Sequence, residues 1–140
     1  MSWLLDTNVL SELRKGARCD PHVARWARSV IHDEVYTSVL VVGELRRGIE
    51  SIRKKDGASA IAIERWLRRI VADYGDRVLP IGERIAEEWG RMSALRTLPV
   101  VDGLLAATAQ VHGLVLVTRN VKDIRATGVA HLDPFHQPLR

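Results

Sequence analysis

The chain has 140 residues, 46% of them hydrophobic and 27% charged, which is the size and make-up of one ordinary globular domain. Lysine and arginine outnumber aspartate and glutamate 21 to 17, a net charge of +4 that suits a polyanionic partner without requiring one. One cysteine, no apolar run near the ~20 residues of a bilayer span and no basic-then-apolar leader speak against a disulfide scaffold, a zinc cluster, a membrane protein and a secreted one.

The expectation is therefore a single cytoplasmic domain over residues 1–140. Trp3-Leu4-Leu5 is too short for a helix and runs into Asp6-Thr7-Asn8, side chains that stop a strand and cap a helix. A short buried strand thus delivers Asp6 at its carboxyl end. Thr7 to Lys15 reads as a helix stopped by Gly16, and Asp20-Pro21 opens another with Val23, Trp26, Ala27 and Val30 inward. Residues 34–38 form a second strand, with Ser38 as cap. Val39 to Ile52 is helical, and Glu44 falls among Leu40, Val41 and Gly48, away from Arg46, Arg47 and Glu50. A carboxylate points inward there.

After a polar break at residues 54–59, Ala60 to Tyr74 repeats the amphipathic pattern, and residues 78–81 suggest an edge strand because of Pro80. Gly82 to Leu98 is helical up to Pro99. Asp102 then opens the helix running to His112, whose Ala106, Ala107, Thr108 and Ala109 allow close packing on a sheet. Leu114 to Thr118 is a continuous apolar run, the mark of a central parallel strand. It ends in Thr118-Arg119-Asn120-Val121-Lys122-Asp123, and Asp133-Pro134-Phe135 with Pro138 reads as a tail.

Strands alternating with helices imply a parallel sheet. Asp6, Glu44, Asp102 and Asp123 each lie at or just past a strand end, or at the start of a helix that follows one, so they are expected to converge on one edge. Two such charges ~4 Å apart repel by ~4 kcal/mol even at an effective dielectric of 20. A divalent cation relieves this, and oxygen-only ligands favour Mg²⁺ or Mn²⁺ over zinc.

Leu5-Asp6-Thr7-Asn8-Val9-Leu10, Gly43-Glu44-Leu45, Val101 to Ala109 and Val117 to Asp123, in that order, resemble a PIN domain, nearest to the VapC/FitB-like toxins of type II toxin–antitoxin pairs. The resemblance implies a three-layer α/β/α fold with a small central parallel sheet. It also implies a metal-dependent endoribonuclease, usually a homodimer, held by a cognate DNA-binding antitoxin in a tetramer or larger complex that touches DNA through the antitoxin. Asp6 and Asp102 would be the main metal ligands, Glu44 would complete the site, and Asp123 would act through a second metal or a water. Asn8, Thr118 and Asn120 would support them. Asn120 stands where many PIN domains carry an acid, so whether Asp123 or Asn120 fills the fourth place stays open. Water activated by the metal would cut the RNA phosphodiester, and Arg119, Arg46 and Arg47 would grip its backbone.

Two other readings share these residues. A haloacid-dehalogenase-like phosphatase also opens with a strand ending in aspartate, but it needs a second aspartate where this chain has Asn8. A non-catalytic module could use the same acidic pocket to assemble a DNA-bound repressor complex.

Overall fold

The computed structural model describes residues 1–136, so Pro138 lies outside the described residues. Five strands form one sheet: β1 (Trp3–Leu5), β2 (Val35–Ser38), β3 (Val78–Leu79), β4 (Val115–Val117) and β5 (His131–Leu132). Their order is β3-β2-β1-β4-β5, and every neighbouring pair is parallel. Leu4, Leu5, Leu116 and Val117 are at most 1% exposed, as expected of central strands covered on both faces.

Among the described residues, seven helices connect the strands: α1 (Thr7–Leu13), α2 (Pro21–Ser29), α3 (Val39–Arg53), α4 (Gly57–Tyr74), α5 (Glu83–Leu95), α6 (Val100–His112) and α7 (Val121–Arg125). From β1 the chain moves outward through β2 to β3, then returns to β4 on the other side of β1. Right-handed crossovers therefore put α1–α4 on one face and α5–α7 on the other. The switch in direction falls between β1 and β4. In open α/β sheets the crevice beyond the strand ends at such a point is the ligand site.

Local chemistry explains most boundaries. Asp20 accepts hydrogen bonds from the amides of His22 and Val23 with Pro21 at the first helical position, and Ser38 accepts from Leu40. Asp56 caps α4 through the amide of Ser59, so this helix starts three residues before the sequence pattern suggests. Gly113 adopts φ +66° and ends α6, a conformation that suits glycine. Two segments differ from expectation. The 82–98 helix stops at Leu95, and Pro99 caps α6, so Val100 and Val101 form its first turn with Asp102. His131 and Leu132, ahead of the expected tail, form a fifth strand, which extends the sheet beyond β4.

α5 packs along α6 at Gly103, which is buried. A Cβ there would meet the Trp89 indole at 3.1 and 3.2 Å and the Leu98 Cβ at 3.6 Å. Gly103→Ala is therefore expected to wedge the two helices apart and lower stability by ~1–3 kcal/mol. Urea unfolding would register this, and parental stability would show that the indole can withdraw.

Candidate functional site

Asp6 ends β1 and caps α1, and only 4% of its surface is exposed. Burial of this kind is costly unless the carboxylate is hydrogen-bonded. Oδ1 accepts from the Thr7 amide at 2.7 Å, while Oδ2 accepts from the Thr118 hydroxyl at 2.7 Å and from Asn8 Nδ2 at 3.2 Å. Thr118, at the end of β4 and 1% exposed, donates its one hydroxyl hydrogen to Asp6. Its oxygen accepts from the Asn120 amide at 3.0 Å and from Asn8 Nδ2 at 3.4 Å. Asn8 closes the lattice by accepting from the Arg119 amide at 3.1 Å. The ends of β1 and β4 are thereby tied together, and the Asp6 carboxylate has one orientation.

Glu44 reaches the same crevice from α3. Its Oε1 accepts from the Thr7 hydroxyl at 2.6 Å, so Thr7 serves Asp6 with its amide and Glu44 with its side chain. The sequence reading takes Thr7 only as part of a cap. Nothing in a single sequence marks it as the link between two acids 38 positions apart.

Asp102 sits half-buried in the first turn of α6, and Asp123 in the first turn of α7. Burial pushes the Asp102 carboxyl up to about 6, reinforced by the charges of Asp6, Asp123 and Glu44 in that order. Asp6 is also raised, by burial first and by Glu44, against the lowering effect of its hydrogen bonds to Thr118, Thr7 and Asn8. The other three predicted acids thus all raise the Asp102 carboxyl. The donor set is oxygen only, and its charge calls for a cation of hard character. Among the described residues, no three His, Cys, Asp or Glu side chains are gathered closely enough to hold a metal ion unaided.

The predicted arginines divide. Arg119 is exposed beside the crevice, with its guanidinium carbon 4.4 Å from the Phe135 ring centroid. Arg46 is turned away from Glu44 and binds Glu64 of α4 at 2.5 Å and Glu50 at 3.1 Å. Its charge serves the α3–α4 pair. Arg47 is exposed on α3, and the Asn120 side chain is exposed, its amide being the part that joins the lattice.

The PIN domain model matches residues 3–129, across the crevice and nearly all of the sheet. The chain belongs to the PIN domain family. This PIN domain is 32% identical over 141 residues to Toxin FitB of Neisseria gonorrhoeae, an alignment covering 95% of this chain and 98% of that protein. It is 29% identical over 137 residues to VapC ribonuclease Y4jK of Sinorhizobium fredii, covering 94% and 96%. The structure of FitAB bound to the IR36 DNA fragment superposes with a TM-score of 0.86 at 28% identity, covering 98% of both chains. Membership in the family displaces the dehalogenase-like alternative. Asn8, in the place of that chemistry's second acid, is a hydrogen-bond donor to Asp6.

Thr118→Val keeps the volume but removes the hydroxyl from Asp6. Loss of such an orienting bond is expected to weaken divalent-ion affinity by ~10–100-fold, with Thr118→Ser restoring it. Titration calorimetry with Mn²⁺ reads this, and equal affinity for Thr118→Val would leave Thr118 a packing residue.

Proposed function

We propose that this PIN domain, residues 1–140, is the toxin of a type II toxin–antitoxin pair: a divalent-metal-dependent endoribonuclease held inactive by a cognate antitoxin. The observation that carries the reading is the crevice at the β1–β4 switch, where Thr7, Asn8 and Thr118 fix Asp6 and Thr7 ties Glu44 beside it. Asp102 is raised there by burial and then by the charges of Asp6, Asp123 and Glu44. Relatives named as a toxin and as a ribonuclease, aligned over nearly the whole chain, support it.

Asp6 and Asp102 are assigned as the carboxylates that hold Mg²⁺ or Mn²⁺. Glu44 completes the site or holds a water, and Asp123 acts through water or a second ion. Mg²⁺ commonly binds one or two carboxylates and keeps several waters, so it needs no preformed cage of four acids. When bound, such an ion acidifies water and neutralises charge on a phosphodiester oxygen. The protein's own part is orientation. Thr118, Asn8 and the Thr7 amide fix Asp6, the Thr7 hydroxyl fixes Glu44, and the Asn120 amide holds Thr118 in register. Arg119 and Arg47 are assigned to the phosphates of the RNA strand, where guanidinium forks match phosphate oxygens.

The partner is a small DNA-binding antitoxin, through which alone the complex meets DNA, an arrangement that the FitAB–DNA complex supports. A homodimer, enlarged to a tetramer or more by antitoxin, would cover apolar side chains such as Leu95 and Val100, which are 74% and 60% exposed. The location is cytoplasmic; no helix among the described residues is long and apolar enough to cross a membrane.

The purified chain is expected to cut RNA in Mg²⁺ or Mn²⁺ and to stop in excess EDTA. Cleavage that continues in EDTA would overturn the assignment. Absence of any cleavage, with normal growth on expression without antitoxin, would favour the non-catalytic repressor module.

A further inference from the structure

Beside the acidic crevice, on the same edge of the sheet, lies a second concavity of opposite charge. Arg119, Val121, Arg125, His131, Leu132, Asp133 and His136 bound a cavity of about 540 Å³. Its position follows from the register: Val117 pairs with Leu132, and the Thr118 amide donates to the Leu132 carbonyl at 3.0 Å. Asp6, Thr118 and Asp133 therefore follow the ends of three adjacent strands. At ~4.8 Å per strand the cavity lies ~10 Å from Asp6 along the edge.

The walls are suited to an anion. Arg119 and Arg125 each offer a planar fork of N–H donors. Arg119 is held ready, since its guanidinium lies over the buried Phe135 ring and its amide is tied to Asn8. His131 Nδ1 donates to the Val129 carbonyl at 2.9 Å, and His136 Nδ1 bonds Asp133 Oδ2 at 2.6 Å. Asp133, the one acid among the described lining residues, also accepts from the Phe135 amide at 2.9 Å. Among the described residues, two arginines thus line the cavity beside one carboxylate, which bonds His136 and the Phe135 amide.

We propose that this cavity is a phosphate subsite, which takes a second phosphate of the nucleic-acid strand whose scissile phosphate lies at the acidic crevice. Acidic side chains repel a polyanion everywhere except where a cation intervenes, so they cannot hold the rest of the strand. A basic cavity one short step along the edge supplies that grip and fixes the direction in which the strand runs. The identity of the strand rests on the ribonuclease reading; the anion preference of the cavity does not.

Arg125 is the residue to change, because it is exposed at the end of α7 and its loss leaves the fold intact. Binding of a short single-stranded RNA is measured on the full chain carrying Asp102→Asn, which is expected not to cut it. Arg125→Ala should weaken binding ~10-fold at low salt and make the log–log salt dependence shallower by ~0.7, the share of one phosphate contact on a single strand. Arg125→Glu should weaken it further. Comparing 5′-phosphorylated with 5′-hydroxyl RNA separates the sources: an effect confined to the former marks a terminal phosphate, an equal effect an internal one. Independently, inorganic phosphate should shift the His131 and His136 ring resonances saturably in the parent and not in Arg125→Glu. If the parent cuts RNA, yet both Arg125 variants bind it with parental affinity and salt slope and phosphate moves neither ring, the subsite is overturned and the nuclease stands. If phosphate saturates the rings but the parent neither binds nor cuts RNA, the assignment to a nucleic-acid strand is overturned.

Discussion

Asp102→Asn is expected to reduce RNA cleavage by at least ~10²–10³-fold while leaving the fold untouched. The size follows from removing one preorganised charge from a site built to stabilise developing charge. The choice of residue follows from its surroundings. Asp6 is held by three hydrogen bonds, so replacing it disturbs Thr118, Asn8 and the start of α1 along with the chemistry. Asp102 is shaped by burial and by three like charges, with no hydrogen bond contributing to its raised carboxyl. The amide therefore removes a repulsive charge and little else. Single-turnover cleavage with the far-UV spectrum as a control makes the measurement. Cleavage within threefold of the parent would remove Asp102 from the machinery.

The second large effect is a coupling between pH, divalent ion and stability. In the unfolded chain Asp102 titrates at its ordinary value of 3.8, whereas in the fold it is held at about 6, with Asp6 raised as well. Between those limits the folded state keeps protons that the unfolded state has lost. Their contribution to stability is thus complete below 3.8 and disappears as pH rises through about 6. The metal-free protein should melt higher at pH 5 than at pH 7.5, and Asp102→Asn should raise Tm at both, by more at pH 7.5 than at pH 5, where only part of the contribution has been lost. Mn²⁺ at ~100 times its Kd should add ~2.7 kcal/mol at pH 7.5, or ~10 °C in Tm for a domain of this size. At pH 5 protons compete for the same oxygens, and the gain should shrink. A Tm gain identical at both pH values would mean that the ion binds elsewhere.

What the sequence discloses and what it hides divide along the range of the interactions. Strand ends and caps are local: Leu5-Asp6 or Ser38-Val39-Leu40 carries its own stop signal, and the apolar run into Thr118 announces a central strand. The parallel order then sets Asp6, Glu44 and Asp123 near enough to Asp102 for their charges to raise its carboxyl after burial has. Contacts between distant segments leave no such trace. The Thr7–Glu44 bond joins two helices, and the pairing of Arg46 with Glu64 braces α3 against α4. His131-Leu132 is too short to show a period, so β5 emerges only because β4 offers it a free edge. With β5 came Phe135 beneath Arg119 and the basic cavity, which the sequence scatters over residues 119–136.

The central claim is that Asp6 and Asp102, with the acids around them, share one divalent cation. Titration calorimetry of Mn²⁺ into the metal-free parent, Asp6→Ala and Asp102→Asn tests it without RNA or antitoxin. Saturable binding to the parent, weakened at least ~10-fold in each variant, is the predicted result. Parent-like binding by either variant, or no binding by the parent, would contradict it.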